Sequence, residues 1–222
     1  MAIAATSTRH DFQDLFSLYT TIALVVTALV LGTIAYAVIR YRRRDGVGPR
    51  EVRGLKPLEG VWITLVAGVV AVLLIATFRT EDRVDAVPQD PPQTVSVLAF
   101  QWGWRFSYPG TGVAIKGTDQ RPPSLVVPAD EPVRFEISSR DVIHSFWIPE
   151  LRFKRDAFPN RVTDFDLVFD PGVTTTGRCA EFCGLGHDRM DFQVVSMQPN
   201  AFVRWLEAHE RRARRLARRS GV

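Results

Sequence analysis

The segment TVSVLAFQWGWRFSY, residues 94–108, contains two short runs, Thr94–Phe100 and Trp104–Tyr108. Both are rich in Val and Phe, and apolar and polar residues alternate along them. Such runs are typical of β-strands. Four similar runs follow, separated by Pro and Gly: Ser124–Val127, Val133–Ile137, Val162–Phe169 and Phe192–Met197. Short strands at this spacing predict a mainly β domain, either a Greek-key sandwich or a barrel. From Pro199 onward the apolar spacing becomes helical.

Two uncharged runs precede this domain, 24 residues at 16–39 and 19 residues at 60–78. At ~1.5 Å of rise per residue, each is long enough to cross a hydrocarbon core of ~30 Å. We therefore predict a hairpin of two transmembrane helices. Buried core helices are the alternative for both runs. A cleavable signal peptide is a further alternative for the first, disfavoured by its length and by the Arg-rich segment that follows it.

The segment between the two runs is strongly basic, with only Asp45, Glu51 and the final Glu59 opposing its positive charge. The basic residues are Arg40, Arg42, Arg43, Arg44, Arg50, Arg53 and Lys56. Loops with such an excess of Lys and Arg face the cytoplasm. We therefore predict a multi-pass protein of the plasma membrane, with both termini and the large C-terminal domain outside the cytoplasm.

These patterns divide the chain into seven parts. They are an N-terminal extracytoplasmic segment (1–15), a first span (16–39), a basic cytoplasmic loop (40–59), a second span (60–78), a Pro-rich linker (79–92), the β domain (93–198) and a basic C-terminal helix (199–222). The formal net charge of +4 resides almost wholly in the tail, where residues 206–222 carry 6 basic and 2 acidic side chains. A near-neutral β domain argues against nucleic-acid binding. The arginines of the tail form a solvated helix end or contact anionic lipid or an acidic partner.

The segment CAEFCGLGHDRM, residues 179–190, concentrates metal-binding side chains with the spacing C-x3-C-x3-H-x2-M. Thiolates, imidazole and thioether form a soft ligand set suited to copper. Gly184 and Gly186 permit tight turns, so that ligands close in sequence can face one point. His144, in the apolar segment DVIHSFW, could supply a second imidazole from another loop.

Three other readings of this segment remain open. The chain has only two cysteines, which could form a disulfide in an oxidising compartment. Two cysteines and two histidines could hold structural zinc, and a single blue copper would use two histidines, one cysteine and a weak methionine. A pair of coppers bridged by both thiolates uses all five side chains, and this reading is favoured.

Several motifs resemble cytochrome c oxidase subunit II over nearly the whole chain. They are the two-helix hairpin, QWGW at 101–104, DVIHSF at 141–146, DAFPNR at 156–161 and the Cys-Glu-Cys-His-Met segment. The resemblance implies a cupredoxin-like β-sandwich that holds the dinuclear copper centre called CuA. It also implies that the chain accepts electrons from cytochrome c and passes them to haem in subunit I, where oxygen reduction and proton pumping occur.

The resemblance also assigns ligands. It implies that Cys179 and Cys183 bridge two coppers, that His144 and Met190 complete one copper, and that His187 and the carbonyl of Glu181 complete the other. The side chain of Glu181 would face subunit I and share a magnesium ion with it.

Two further residues receive roles from the resemblance. Trp102 matches the tryptophan through which electrons reach the centre, although Gly103 stands where the family usually has an aromatic residue. Glu59, in the sequence Glu-Gly-Val-Trp, matches a glutamate at the cytoplasmic mouth of a proton pathway. By contrast, Trp104 is expected in the core, and His10 and His209 on the solvated surface.

Alternative functions share parts of this pattern. The copper subunit of a nitric oxide reductase would have the same site with a different partner. A membrane-tethered copper carrier would have no reason to keep the Trp102 motif, and quinol oxidases lack the copper ligands. The donor is predicted to be cytochrome c or a tethered cytochrome domain. Arg105 and Arg140 favour a neutral or acidic one, unless acids such as Asp119, Asp130, Glu131 and Asp141 cluster locally.

Overall fold

The structure is a computed structural model that describes residues 8–42, 54, 56–85 and 91–219. Residues 12–81 form one compact unit, and residues 82–219 form a second together with residues 8–11. Most of the predicted cytoplasmic loop and the centre of the predicted linker, including Pro88, lie outside the described residues.

Two long helices, α1 (Thr8–Arg40) and α2 (Lys56–Val84), contain the predicted spans. Both are long and apolar enough to cross a membrane. Within their unit, the hydroxyl groups of Tyr19 and Thr77 share a hydrogen bond of 2.6 Å that joins the two helices. Helix α2 continues beyond residue 78, so residues 79–84 are helical although the sequence predicted a linker there. No Pro or Gly interrupts this polar stretch before Pro88.

The second unit contains a sandwich of two five-stranded sheets. The first sheet has the order β3-β2-β1-β5-β8 and the second β4-β10-β9-β6-β7. The strands are β1 (Gln93–Phe100), β2 (Gly103–Tyr108), β3 (Val113–Lys116), β4 (Ser124–Pro128), β5 (Pro132–Ser139), β6 (His144–Ile148), β7 (Phe153–Ala157), β8 (Thr163–Val168), β9 (Thr174–Cys179) and β10 (Asp191–Met197). The pairs β1–β5 and β4–β10 are parallel, and the other pairs are antiparallel. The prediction of a β-sandwich after a helical hairpin is confirmed.

Four strands were not predicted, namely β3, β6, β7 and β9. Strand β7 reads FKRDA and β9 reads TTTGRC, and neither has the apolar alternation of a typical half-buried strand. In β9, the ring of Phe192 on the neighbouring strand packs where a side chain at position 177 would lie, since a Cβ there would be 2.1 Å from the ring. Gly177 therefore weakens the local strand signal while permitting close packing between neighbouring strands.

The core lies between the two sheets and is dominated by aromatic rings. Trp104, Phe146 and Phe192 form edge and stacked contacts with centroid distances of 4.8 to 5.9 Å. Helix α3 (Pro199–Arg219) packs through Phe202 and Trp205 against Tyr108. The hydroxyl of Tyr108 donates to the Val126 carbonyl at 2.8 Å and accepts from the Val126 amide at 3.0 Å, which ties the two sheets together.

Candidate metal centre

The predicted ligands converge at one end of the sandwich. Strand β6 begins at His144 and its neighbour β9 ends at Cys179, so the sheet pairing brings both side chains together. The loop after β9 supplies Cys183, His187 and Met190 before β10 begins at Asp191. Cys179, Cys183, His144 and Met190 are buried, and His187 is half-buried.

The distances within this group are short. The two Sγ atoms lie 3.8 Å apart. The Nδ1 of His144 is 3.9 Å from the Sγ of Cys179, and the Nδ1 of His187 is 3.6 Å from the Sγ of Cys183. The Sδ of Met190 lies 3.8 Å from the Cys183 sulfur, and the Cys179 thiol donates to the Glu181 carbonyl at 3.2 Å. Six potential ligand groups therefore surround one small volume.

Backbone hydrogen bonds hold the ligand loop closed. The Cys179 amide donates to the Met190 carbonyl at 3.0 Å, and the Ala180 amide donates to the Ser145 carbonyl at 3.0 Å. Gly184 has φ +112, a conformation that side-chain-bearing residues rarely adopt. The His187 amide then donates to the Gly184 carbonyl at 3.1 Å. This turn brings the side chains of His187 and Met190 next to the sulfur of Cys183. The tight turn is the one predicted from the glycines of the loop.

The two thiols have opposite ionisation tendencies. Burial opposes ionisation of Cys179, but hydrogen bonding with His144 and with nearby backbone groups outweighs it and lowers the pKa of this thiol. Burial and the neighbouring charge on Cys179 raise the pKa of Cys183. Ionisation of one sulfur therefore opposes ionisation of the other in the metal-free pair. A metal that takes both sulfurs as thiolates must displace the protons that remain on them, so metal affinity falls as pH falls.

Asp141 orients the ligand His144, a role that the sequence analysis did not assign. Its carboxylate accepts a hydrogen bond of 2.8 Å from the Nε2 of His144, which leaves Nδ1 free to face the sulfurs. It also accepts from the backbone amides of Gln101 at 2.8 Å and Val142 at 2.9 Å. Although partial burial opposes ionisation, these hydrogen bonds lower the pKa of Asp141. The sequence signal that could have predicted this role is an acidic residue three positions before a ligand histidine.

Trp102 lies directly on the ligand loop. Its Nε1 donates to the Cys183 carbonyl at 3.1 Å, and the Nε2 of Gln101 donates to the same carbonyl at 2.8 Å. A Cβ at Gly186 would lie 2.6 Å from the indole ring, so glycine is required for this packing. The half-buried indole therefore joins the protein surface to a backbone group of a ligand cysteine.

Trp104 is fully buried, which confirms that it belongs to the core. Its Nε1 donates to the Met190 carbonyl at 3.2 Å, so this core side chain also supports the ligand loop. His10 is exposed, as predicted. His209 is not a solvated side chain, because it is half-buried and its ring lies 4.3 Å from that of Trp205.

The two predicted carboxylates lie outside the sulfur cluster. The side chain of Glu181 is exposed and lies 3.7 Å from the Nζ of Lys154, a partner that the sequence did not predict. Glu59 lies in the first turn of α2 and is exposed.

The donor set fits copper better than the alternatives. The thiols are unbonded, and their separation of 3.8 Å far exceeds a disulfide bond of about 2.05 Å. Zinc sites use thiolate, imidazole and carboxylate, which would leave the buried thioether of Met190 without a role. Copper accepts both thiolate and thioether ligands. Cys179, Cys183 and His144 have ligand atoms within 4.8 Å of one another, close enough for metal ions to be shared.

Comparison with known proteins points in the same direction. A sequence model described as cytochrome c oxidase subunit II, periplasmic domain, matches residues 113–197. A probable cytochrome c oxidase subunit 2 from Streptomyces avermitilis is 31% identical, over 83% of this chain and 70% of the relative. A cytochrome c oxidase subunit 2 from Corynebacterium glutamicum is 28% identical, over 74% of this chain and 61% of the relative.

A solved structure shares the fold of the β domain. It is the periplasmic domain of subunit II of a cytochrome oxidase from Bradyrhizobium japonicum, with a TM-score of 0.50 and 25% sequence identity. The match covers 56% of this chain and 97% of that structure. The cupredoxin-like fold implied by the sequence motifs is therefore confirmed.

Proposed function

Because the chain belongs to the cytochrome c oxidase subunit II family, we propose that it is the subunit through which a haem–copper oxidase receives electrons. It accepts them from a cytochrome c at a dinuclear copper centre and passes them to haem in subunit I, the site of oxygen reduction and proton pumping. The observation that carries this proposal is the convergence of two thiols, two imidazoles and a thioether, with the two sulfurs 3.8 Å apart.

The proposed ligand roles are those that the family motifs imply, and the closeness of the six groups supports them. Cys179 and Cys183 would bridge both metals, with His144 and Met190 on one side and His187 and the Glu181 carbonyl on the other. The copper pair would supply a one-electron carrier whose charge is spread over several soft atoms. The protein holds the ligand atoms in place through hydrogen bonds from Asp141 and the backbone, so little has to move when the charge changes.

Trp102 is proposed as the residue through which electrons reach the centre. Its indole N–H is hydrogen-bonded to the carbonyl of Cys183, one of the proposed bridging ligands. Electrons arriving at the exposed edge of the ring therefore have a short path through one hydrogen bond and the Cys183 backbone.

Membrane topology follows the same proposal. The chain is a membrane protein with an extracytoplasmic domain, and we place it in the plasma membrane with both termini on the outer side. In support, Thr8 at the start of α1 donates a hydrogen bond of 2.8 Å to the Leu151 carbonyl of the β domain. Arg9 pairs with Glu150 at 2.6 Å. These contacts keep the described N-terminal end beside the domain.

The proposed partners are subunit I, other oxidase subunits and membrane lipid. We assign Glu181 to a magnesium ion shared with subunit I, since its carboxylate projects from the ligand loop and is exposed. In this chain without subunit I, the carboxylate of Glu181 is paired with Lys154. Magnesium binding would therefore require the lysine to move away. Arginines of α3 are available for lipid, although Arg211 and Arg214 pair with glutamates of the same helix.

Metal analysis with electron paramagnetic resonance tests the proposed centre. Full-length chain purified in detergent and loaded with copper should bind two coppers that share one unpaired electron. The reason is that two bridging sulfurs couple the metals. Stoichiometric zinc, or one copper with a mononuclear signal, would contradict the proposal.

Glu59→Gln should impair proton uptake by the assembled oxidase several-fold without changing the copper signal. The glutamate is exposed in the first turn of α2, and a neutral amide there cannot release a proton. Oxygen consumption across pH measures the effect. The matched control is Glu81→Gln, near the other end of the same helix, which should behave as the unmodified enzyme does. Equal activity of the Glu59→Gln variant at every pH would remove Glu59 from the pathway.

A further inference from the structure

The surface beside Trp102 has an exposed apolar centre. Leu185 is 89% exposed and lies between Gly184 and Gly186, the two glycines that pack on the indole ring. Single exposed aliphatic residues are common on proteins. This one, however, is carried by the ligand loop itself, so a molecule that contacts Leu185 is also brought to Trp102.

Gly103, directly after Trp102, has no room for a side chain. A Cβ at this position would lie 2.2 Å from the Gly117 carbonyl oxygen and 2.9 Å from the Cα of Thr118. The backbone of the loop after β3 therefore leaves no space for the aromatic residue that is usual in the family. Position 103 therefore adds no aromatic ring to the surface around Trp102.

Two positive charges pack on the ring of Phe100, two residues before Trp102. The Nζ of Lys116 lies 4.9 Å from the ring centroid of Phe100, and the guanidinium carbon of Arg140 lies 5.4 Å from it. Phe100 immediately precedes Gln101 and Trp102, so both cations are held close to the point where electrons would enter. Within the described residues, neither cation forms an ion pair with a carboxylate.

The carboxylates of the same surface are already engaged. Asp141 accepts hydrogen bonds from His144 and two backbone amides. Asp119, whose amide is bonded to the Trp102 carbonyl, lies 3.7 Å from Arg189. Asp188 lies 3.9 Å from the same arginine. Asp141 and Asp119 are thus mostly buried, and Arg189 balances one of the two charges of Asp119 and Asp188. Lys116 and Arg140 have no carboxylate partner among the described residues and can attract an external charge.

Building on the proposed function, we propose that this surface docks a cytochrome whose exposed haem edge is surrounded by carboxylates. Lys116 and Arg140 attract the carboxylates, and Leu185 and Trp102 contact the apolar haem edge. Opposite charges on two docking faces raise the association rate, and salt screens the attraction. A strongly basic cytochrome is repelled by the same two cations.

Stopped-flow oxidation of two soluble cytochromes c, one acidic and one basic, tests this inference on the assembled oxidase. The ionic strength is raised from about 0.01 M to about 0.15 M, which shortens the screening length from about 30 Å to about 8 Å. At low salt, the acidic donor should be oxidised about tenfold faster than the basic donor. Its rate should fall as salt is added. A basic donor that is faster at low salt and slows with salt would overturn the inference, as would salt independence of both donors.

Charge-removing variants localise the effect. The double variant Lys116→Gln and Arg140→Gln should slow the acidic donor about tenfold at low salt and flatten its salt dependence. The control Arg204→Gln removes an exposed cation early in α3. It should change neither the rate of the acidic donor nor its salt dependence. An unchanged rate in the double variant would refute the assigned role of these cations.

The copper signal and reduction by a small neutral reagent separate this inference from the proposed function. Both should be intact in the double variant, because neither cation touches a ligand. Failure of these two readouts in the unmodified protein would reject the copper centre. If the copper signal and reduction by the small reagent are both normal, a change in the rate of donor oxidation reports on the docking surface alone.

Discussion

Cys183→Ser should abolish the signal of the dinuclear centre and reduce the copper bound to this chain from two to one or none. Serine is a hard and weakly acidic ligand, and it cannot replace a thiolate that bridges two soft metals. Cys183 lies 3.8 Å from Cys179, 3.6 Å from His187 and 3.8 Å from Met190, so its loss affects contacts to three other ligands. Metal analysis and electron paramagnetic resonance measure the effect.

The control for this experiment is His209→Gln, which alters a histidine that packs on Trp205 outside the site. Its copper content and spectrum should match those of the unmodified chain. Thermal unfolding distinguishes ligand loss from misfolding, since Cys183→Ser without metal should still unfold cooperatively. A Cys183→Ser variant that retains two coppers and a shared electron would rule out bridging by this sulfur.

Trp102→Leu should slow oxidation of the donor roughly 30-fold while the copper spectrum stays unchanged. Removing a tryptophan anchor from an interface costs about 2 kcal/mol or more, and 1.4 kcal/mol corresponds to a factor of ten in affinity. The variant also loses the hydrogen bond of 3.1 Å to the Cys183 carbonyl. Stopped-flow absorbance of the donor measures the rate.

A change at another tryptophan provides the comparison for Trp102→Leu. Trp205→Phe alters an aromatic side chain of α3 that packs on Tyr108, and the donor should be oxidised at the normal rate. Trp102→Phe keeps an apolar ring but lacks the N–H, so its rate should fall between those of leucine and tryptophan. Normal donor oxidation by Trp102→Leu would make Trp102 a packing residue only.

Local sequence determined the features that depend on short spacing. Uncharged runs of 24 and 19 residues predicted the helical hairpin, because a membrane span requires apolar length. The ligand loop could also be predicted from local sequence. Its four ligand side chains and two glycines lie within twelve residues, namely Cys179, Cys183, Gly184, Gly186, His187 and Met190. The six predicted strands are those whose own side chains alternate or are β-branched and aromatic.

Tertiary structure decided the features that join distant parts of the chain. Strands β7 and β9 lack an apolar pattern and become strands because β6 and β10 pair with them. The hydrogen bond from Gln101 to Asp141 and the shared ring contact of Lys116 and Arg140 with Phe100 link separate loops. A sequence specifies its local propensities residue by residue. Which side chains meet across the sandwich depends on the pairing and packing of whole sheets, and these set the orientation of His144 and the charge beside Trp102.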